Sequence, residues 1–331
     1  MLPIHAVLEP LKAALAQTHA VVLAAPPGAG KTTVVPLALL DQPWLGEGKV
    51  LVLEPRRLAA RAAADRMAAS LGQKAGGTVG YRTRLQSRIG SETRIEVVTE
   101  GVFTRMILDD PALEGVGAVL FDEFHERSLD ADLGLALARE SQSVLRDDLR
   151  LLVMSATLDI VGVSRLLDNA PVIEAEGRMF PVETRYMGRN PVERLEDAMA
   201  KAVIQALHDE TGSILAFLPG QGEIHRVVQR LNDCLRDPTV DVVALYGALD
   251  KGEQDRAIEP AAPGRRKVVL ATSVAETSLT IEGVRVVIDS GLERVPRFDP
   301  SSGMTRLATQ RISQASAAQR AGRAGVGEHA L

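Results

Sequence analysis

The sequence predicts an α/β protein of two successive units, each a mainly parallel sheet flanked by helices. Three observations carry that expectation. Short apolar, β-branched runs recur between longer segments of helical periodicity, as expected of strands buried on both faces by crossover helices. The runs fall into two series separated by a polar stretch containing Pro and Gly. A length of 331 residues is two domains' worth at the usual size of about 100 to 150 residues each.

The first series reads as five strands: Val21–Ala25, Val50–Leu53, Ile95–Val98, Ala118–Phe121 and Leu151–Met154, each followed at once by polar or Gly/Pro residues. Functional groups in open α/β sheets gather at the carboxyl ends of strands, so these junctions are where chemistry is expected. The second series reads Ile214–Leu218, Val242–Leu245, Val268–Ala271 and Val286–Ile288. The stretch that closes at Pro191 is the expected connection, giving a first domain over 1–174, a linker over 175–191 and a second domain over 192–331.

Composition excludes several classes. With 46% hydrophobic and 24% charged residues the chain can bury sizeable cores, which excludes wholesale disorder. No run approaches the ~18 apolar residues of a membrane span, and Glu9 and Lys12 stand where a signal peptide needs a basic start and a clean apolar core. A cytoplasmic protein with no membrane partner is expected. The single cysteine, Cys234, cannot pair within the chain and has no Cys or His cluster beside it, so it is expected to serve as a small apolar residue. A net charge of -5 gives no global attraction to nucleic acid. Locally, however, Arg294, Arg297, Arg306, Arg311, Arg320 and Arg323 face one acid, Asp299, within thirty residues.

Directly after the first predicted strand stands Ala25-Pro-Pro-Gly-Ala-Gly-Lys-Thr-Thr33, a P-loop pattern with Ala25 in place of its first glycine. Pro27, Gly28, Ala29 and Gly30 would wrap around a phosphate at the start of a helix, with the N–H groups that follow Pro27 pointing inward and Thr33 in the first turn. Lys31 would reach the terminal phosphates, and the Thr32 hydroxyl would hold Mg²⁺. The fourth predicted strand, Ala118–Phe121, runs into Asp122-Glu123-Phe124-His125. Asp122 would support Mg²⁺ and Glu123 would position or deprotonate an attacking water. Together these residues predict hydrolysis of ATP or another nucleoside triphosphate.

At this point the chain resembles the DEAH-box family of superfamily 2 helicases, most closely its bacterial HrpB branch. The box reads Asp-Glu-Phe-His-Glu-Arg-Ser, and further motifs match in order: Pro55-Arg-Arg57, Thr99-Glu-Gly101, Ser155-Ala-Thr157, Phe217-Leu-Pro-Gly220, Ala271 to Ile281 and Gln319-Arg-Ala-Gly-Arg-Ala-Gly325. The resemblance implies two tandem RecA-like, P-loop NTPase domains that couple nucleotide hydrolysis to movement along single-stranded nucleic acid, RNA by analogy. It further implies that Gln319 and Arg323 serve the γ-phosphate, Arg323 as an arginine finger. His125, Ser155, Thr157 and Arg320 would couple nucleotide to domain movement. Arg56, Arg57 and Thr99, with Thr272, would grip the nucleic-acid backbone, contacts that position without reading sequence. Arg66 matches a position that stacks on the nucleobase. Leu292–Leu307, with Gly303 near its middle, resembles the family's strand-separating β-hairpin.

Two departures set further expectations. Ile258 stands where many relatives carry an aromatic ring, which implies weak base stacking. Val326 stands where the sixth motif continues with a second arginine, and Gly327–Leu331 does not resemble the family's continuation into accessory domains. Besides a working helicase core, the alternative expectation is therefore a catalytically weak or inactive truncated remnant that binds nucleotide and nucleic acid.

Overall fold

The computed structural model describes residues 2–156, 160–176, 182–188, 190, 192–276 and 281–325. The chain folds as two compact units, Met1–Arg178 and Met179–Leu331.

In the first unit α1 (Leu8–Gln17) leads into β1 (Ala20–Ala24), α2 (Lys31–Leu39), β2 (Lys49–Glu54), α3 (Arg57–Ser70), β3 (Val79–Arg82) and β4 (Ser87–Arg88). Then follow β5 (Ile95–Thr99), α4 (Glu100–Asp109), β6 (Val116–Phe121), α5 (Leu129–Val144), β7 (Arg150–Ser155), α6 (Ile160–Leu166) and β8 (Val172–Glu174). The strands form one sheet in the order β4-β3-β5-β2-β6-β7-β1-β8. Every pairing is parallel except β3 with β4. Alternate residues feed two cores. Val21, Leu23, Val50, Val52, Leu120 and Met154 pack on one face, against residues of α1, α2 and α3 such as Leu11, Val35 and Met67. Val22, Leu51, Val119, Phe121 and Val153 pack on the other, against Phe103, Leu135 and Val163 of α4, α5 and α6. Burial on both faces is why these strands read as continuous apolar runs rather than alternating ones.

All five strands expected in this half are present. The structure adds β3, β4 and β8, of four, two and three residues, too short to stand out in the sequence.

The second unit contains α7 (Leu195–Asp209), β9 (Ser213–Phe217), α8 (Gln221–Cys234), β10 (Val240–Leu245), α9 (Lys251–Ile258), β11 (Arg266–Ala271) and β12 (Val284–Asp289). These are followed by β13 (Leu292–Asp299), β14 (Met304–Arg311) and α10 (Gln314–Gly322). A parallel sheet runs β10-β11-β9-β12, over a core in which Ile214, Ala216, Val268 and Leu270 meet Val203, Ile224 and Val227 of α7 and α8. Strands β13 and β14 form a separate antiparallel hairpin in which Leu292 pairs with Arg311 and Asp299 with Met304. Gly303, at φ 64°, closes its turn, and the hairpin extends four residues beyond the expected Leu307.

Cys234 departs from expectation, being exposed at the end of α8 rather than packed. Cys234 continues the i, i+3, i+7 spacing of the buried Ile224, Val227 and Leu231, but as the last residue of α8 it lies past the part of the helix that packs on the core. Among the described residues no helix is long and apolar enough to cross a membrane.

Candidate active site

The first unit collects its candidate functional residues along one edge of the sheet, at the carboxyl ends of β5, β2, β6, β7 and β1. β1 ends in the loop Ala25–Gly30, held beside β7 by the Ala25 N–H, which donates to the Ser155 carbonyl at 3.0 Å. Gly28 and Gly30 adopt φ of 76° and 94°, a left-handed backbone that side chains disfavour. A Cβ on Gly30 would also come within 2.8 Å of Leu2 Cδ1 and 3.2 Å of Ile4 Cγ2. Gly30 is the N-cap of α2 and brings no side chain to its first amides, which leaves the positive end of the helix facing the loop.

Lys31, in the first turn of α2, is 3% exposed, and its Nζ lies 3.0 Å from Glu123 Oε1. The next residue, Thr32, donates its hydroxyl to Asp122 Oδ2, while Asp122 Oδ1 accepts the Glu123 N–H at 2.8 Å. The P-loop and the carboxylate box, ninety residues apart in sequence, therefore meet directly. Burial pushes the Asp122 carboxyl up to about 6, helped by the Glu123 charge and opposed by Lys31 and Thr32.

Glu123 follows β6 at φ 48°, a left-handed conformation costing about 1–3 kcal/mol for a residue with a side chain. His125 lies beyond it in a short 3-10 turn, Phe124–Glu126. Its Nδ1 accepts the Ala156 N–H at 3.2 Å, so the neutral ring carries its proton on Nε2, 3.3 Å from Glu123 Oε2. Glu123 is thus held between an ammonium and an imidazole. Ser155 is buried at the end of β7, beside Ala156. Thr157 lies outside the described residues.

The same edge carries the expected nucleic-acid contacts. Arg56 and Arg57 follow β2, and Thr99 ends β5, where it pairs in register with Glu54. Arg57 is exposed and Arg56 half-buried, its Nη2 3.0 Å from Glu126 Oε2. Arg66 is exposed on α3.

In the second unit, Thr272 follows β11 and Gln319 lies half-buried on α10. Arg320 is 1% exposed and spans three elements: Nε meets Glu276 Oε2 at 2.9 Å, Nη1 meets Asp289 Oδ1 at 2.8 Å, and the guanidinium lies 4.8 Å over the Phe217 ring. Glu276 also accepts from Ser316 Oγ, and its carbonyl accepts from Arg323 Nε at 2.7 Å. Arg323 is accordingly buried within its own unit. Ile258 is half-buried at the end of α9. Val326 and the residues after it lie outside the described residues.

Sequence reasoning missed Glu100, Glu126, Ser128 and Glu276. Burial raises the Glu100 carboxyl's pKa, and Ser128 Oγ donates to Glu100 Oε2 at 2.5 Å. Each missed residue stood inside a motif already singled out, flanking the residues chosen from it.

Two parallel-sheet units, the first with a P-loop facing an Asp-Glu pair, define a P-loop nucleoside-triphosphatase core of the helicase kind. Residues 8–166 match the DEAD/DEAH box helicase family and residues 196–326 the helicase conserved C-terminal domain, and the chain belongs to the DEAD/DEAH box helicases. It is 56% identical over 98% of its length to the ATP-dependent RNA helicase HrpB of Escherichia coli (strain K12), and 37% identical to the ATP-dependent RNA helicase HrpA of the same organism. The chain spans 40% of the first relative and 25% of the second. The crystal structure of the Escherichia coli DEAH/RHA helicase HrpB superposes with a TM-score of 0.92 over 98% of this chain and 41% of that one.

Proposed function

We infer that the chain is the motor core of an ATP-dependent RNA helicase, hydrolysing the β–γ bond of ATP and coupling that hydrolysis to movement along single-stranded RNA. The observation that carries this reading is the meeting of Lys31 with Glu123 and of Thr32 with Asp122 at one edge of the first sheet. In it, Lys31 leaves Glu123 to neutralise the terminal phosphates, while the amides at the start of α2 cradle them. Freed from Lys31 and steadied by His125 Nε2, Glu123 orients the attacking water and accepts its proton.

The Thr32–Asp122 pair fits Mg²⁺, which binds through one or two protein oxygens plus phosphate and water rather than in an all-protein cage. Its raised pKa fits as well, since a buried carboxylate gains most from a cation. When bound, Mg²⁺ would neutralise phosphate charge. Gln319 and Arg323 are assigned to the γ-phosphate by their motif, which requires Arg323 to exchange the Glu276 carbonyl for phosphate.

Arg56, Arg57, Thr99 and Thr272 are assigned to the RNA backbone, and Arg66 to the nucleobase. The β13–β14 hairpin supports contact with nucleic acid independently: Arg297 and Arg306 stand directly opposite each other, and Phe298 and Leu307 are 61% and 68% exposed. Like charges in register destabilise a ribbon unless an anion joins them. Binding of a fluorescent ATP analogue tests the nucleotide site. Binding that needs Mg²⁺ and is lost in Lys31→Ala is expected; equal binding by the variant contradicts the assignment.

A further inference from the structure

The residues that follow the carboxylate box are built as a connector. Glu123 and Arg127 both adopt positive φ, at 48° and 49°, and bracket a single 3-10 turn. Two such residues four apart persist only where the surroundings over-determine them. Here the surroundings are specific. Phe124 is buried edge-on to Phe121, Arg127 lies 5.7 Å over the Phe124 ring and reaches Asp132 at 2.9 Å, and His125 is pinned to Ala156.

Seen from the sheet edge, the turn has two working ends. Glu123 and His125 face Lys31 and the end of β7. On the other side Glu126 holds Arg56 at 3.0 Å, and Ser128 holds Glu100, the residue after Thr99, at 2.5 Å. Ser128 also caps α5 by accepting the Ala131 N–H at 2.9 Å, so its position is fixed by a helix. Six consecutive residues thereby reach the lysine of the P-loop and both segments of the first unit assigned to the RNA backbone. The Arg56–Glu126 pair is 26% and 16% exposed, wet enough for a phosphate to compete for the arginine and dry enough for the contact to matter.

We propose that Glu126 and Ser128 are positioning residues that couple RNA contact at Arg56 and Thr99 to Glu123, so that bound RNA speeds hydrolysis. This rests on the helicase reading above. When a phosphate draws Arg56 away, Glu126 is released, and the turn that ends at Glu123 can re-aim its carboxylate. Ser128 and Glu100 transmit the shift of Thr99 to the same turn. Glu126 touches neither nucleotide nor RNA, so its loss separates coupling from both binding events.

The test uses the full chain and its Glu126→Ala and Glu126→Gln variants. Phosphate release is followed with and without a single-stranded oligouridylate, alongside oligouridylate affinity by fluorescence anisotropy and thermal melting. The expected result is that Glu126→Ala, in which Arg56 is already free of the turn, raises basal turnover toward the stimulated rate and binds oligouridylate at least as tightly, so that the ratio of stimulated to basal rate falls at least about fivefold. Glu126→Gln, which keeps an acceptor for Arg56, should fall between the two and serves if the alanine variant does not fold. Stimulation equal to that of the parent chain would overturn the coupling role, and so would a proportional fall of basal and stimulated rates, the mark of a purely structural pair. A parent chain that oligouridylate does not stimulate would overturn the helicase reading itself, and the coupling with it.

Discussion

Replacing Glu123 by Gln separates three effects that the site geometry ties together. Lys31 Nζ and Glu123 Oε1 are 3.0 Å apart with side chains 3% and 8% exposed, so their ion pair lies in the buried regime. Breaking such a pair by removing one charge costs about 3–5 kcal/mol. The amide oxygen keeps a hydrogen bond to the ammonium, so a loss of about 2 kcal/mol is expected, which lowers the melting temperature of a unit this size by about 4–8 °C. In the parent chain ATP must draw Lys31 away from Glu123; in the variant that competition is gone. Nucleotide affinity should therefore rise, by up to about 30-fold for the same 2 kcal/mol. Turnover should fall about 10²- to 10⁴-fold with loss of the general base. Melting curves with and without Mg²⁺–ATP, together with phosphate release, read all three. Turnover within about threefold of the parent would refute the role of Glu123, and an unchanged melting temperature would refute the ion pair.

Other outcomes follow from the same geometry. Gly30→Ala should cost about 1–3 kcal/mol and weaken nucleotide binding, because the new Cβ meets Leu2 and Ile4 at φ 94°; a melting temperature and ATP affinity like the parent's would contradict this. Arg320→Ala should destabilise the second unit by about 3–5 kcal/mol, leaving Glu276 and Asp289 without their shared guanidinium; urea unfolding followed from the second unit's Tyr246 would show it, and a change under about 1 kcal/mol would count against it. Val326→Arg should raise phosphate release by restoring the cation that the sixth motif carries at that position; an unchanged rate would show that Arg323 suffices.

The strands were legible because burial on both faces writes each as an unbroken apolar run. β3, Val79-Gly-Tyr-Arg82, and the three residues of β8 carry too few apolar side chains to announce themselves, and both were found only through their neighbours β5 and β1. At the site, the P-loop and Asp122–Glu123 were legible because each packs its chemistry into a few consecutive residues. The Arg56–Glu126 and Ser128–Glu100 contacts were not, since they arise only when the sheet order sets β5, β2 and β6 side by side. The same holds for Arg320: its sequence position marked it as part of a motif, but only folding places it against Glu276, Asp289 and Phe217 together.

The most direct measurement is phosphate release from Mg²⁺–ATP at low salt, with and without single-stranded RNA, using Lys31→Ala as the blank. Turnover that exceeds the blank and rises with RNA is the expected result. ATP bound without turnover above that blank, with or without RNA, would contradict the assignment of this chain as a helicase motor core.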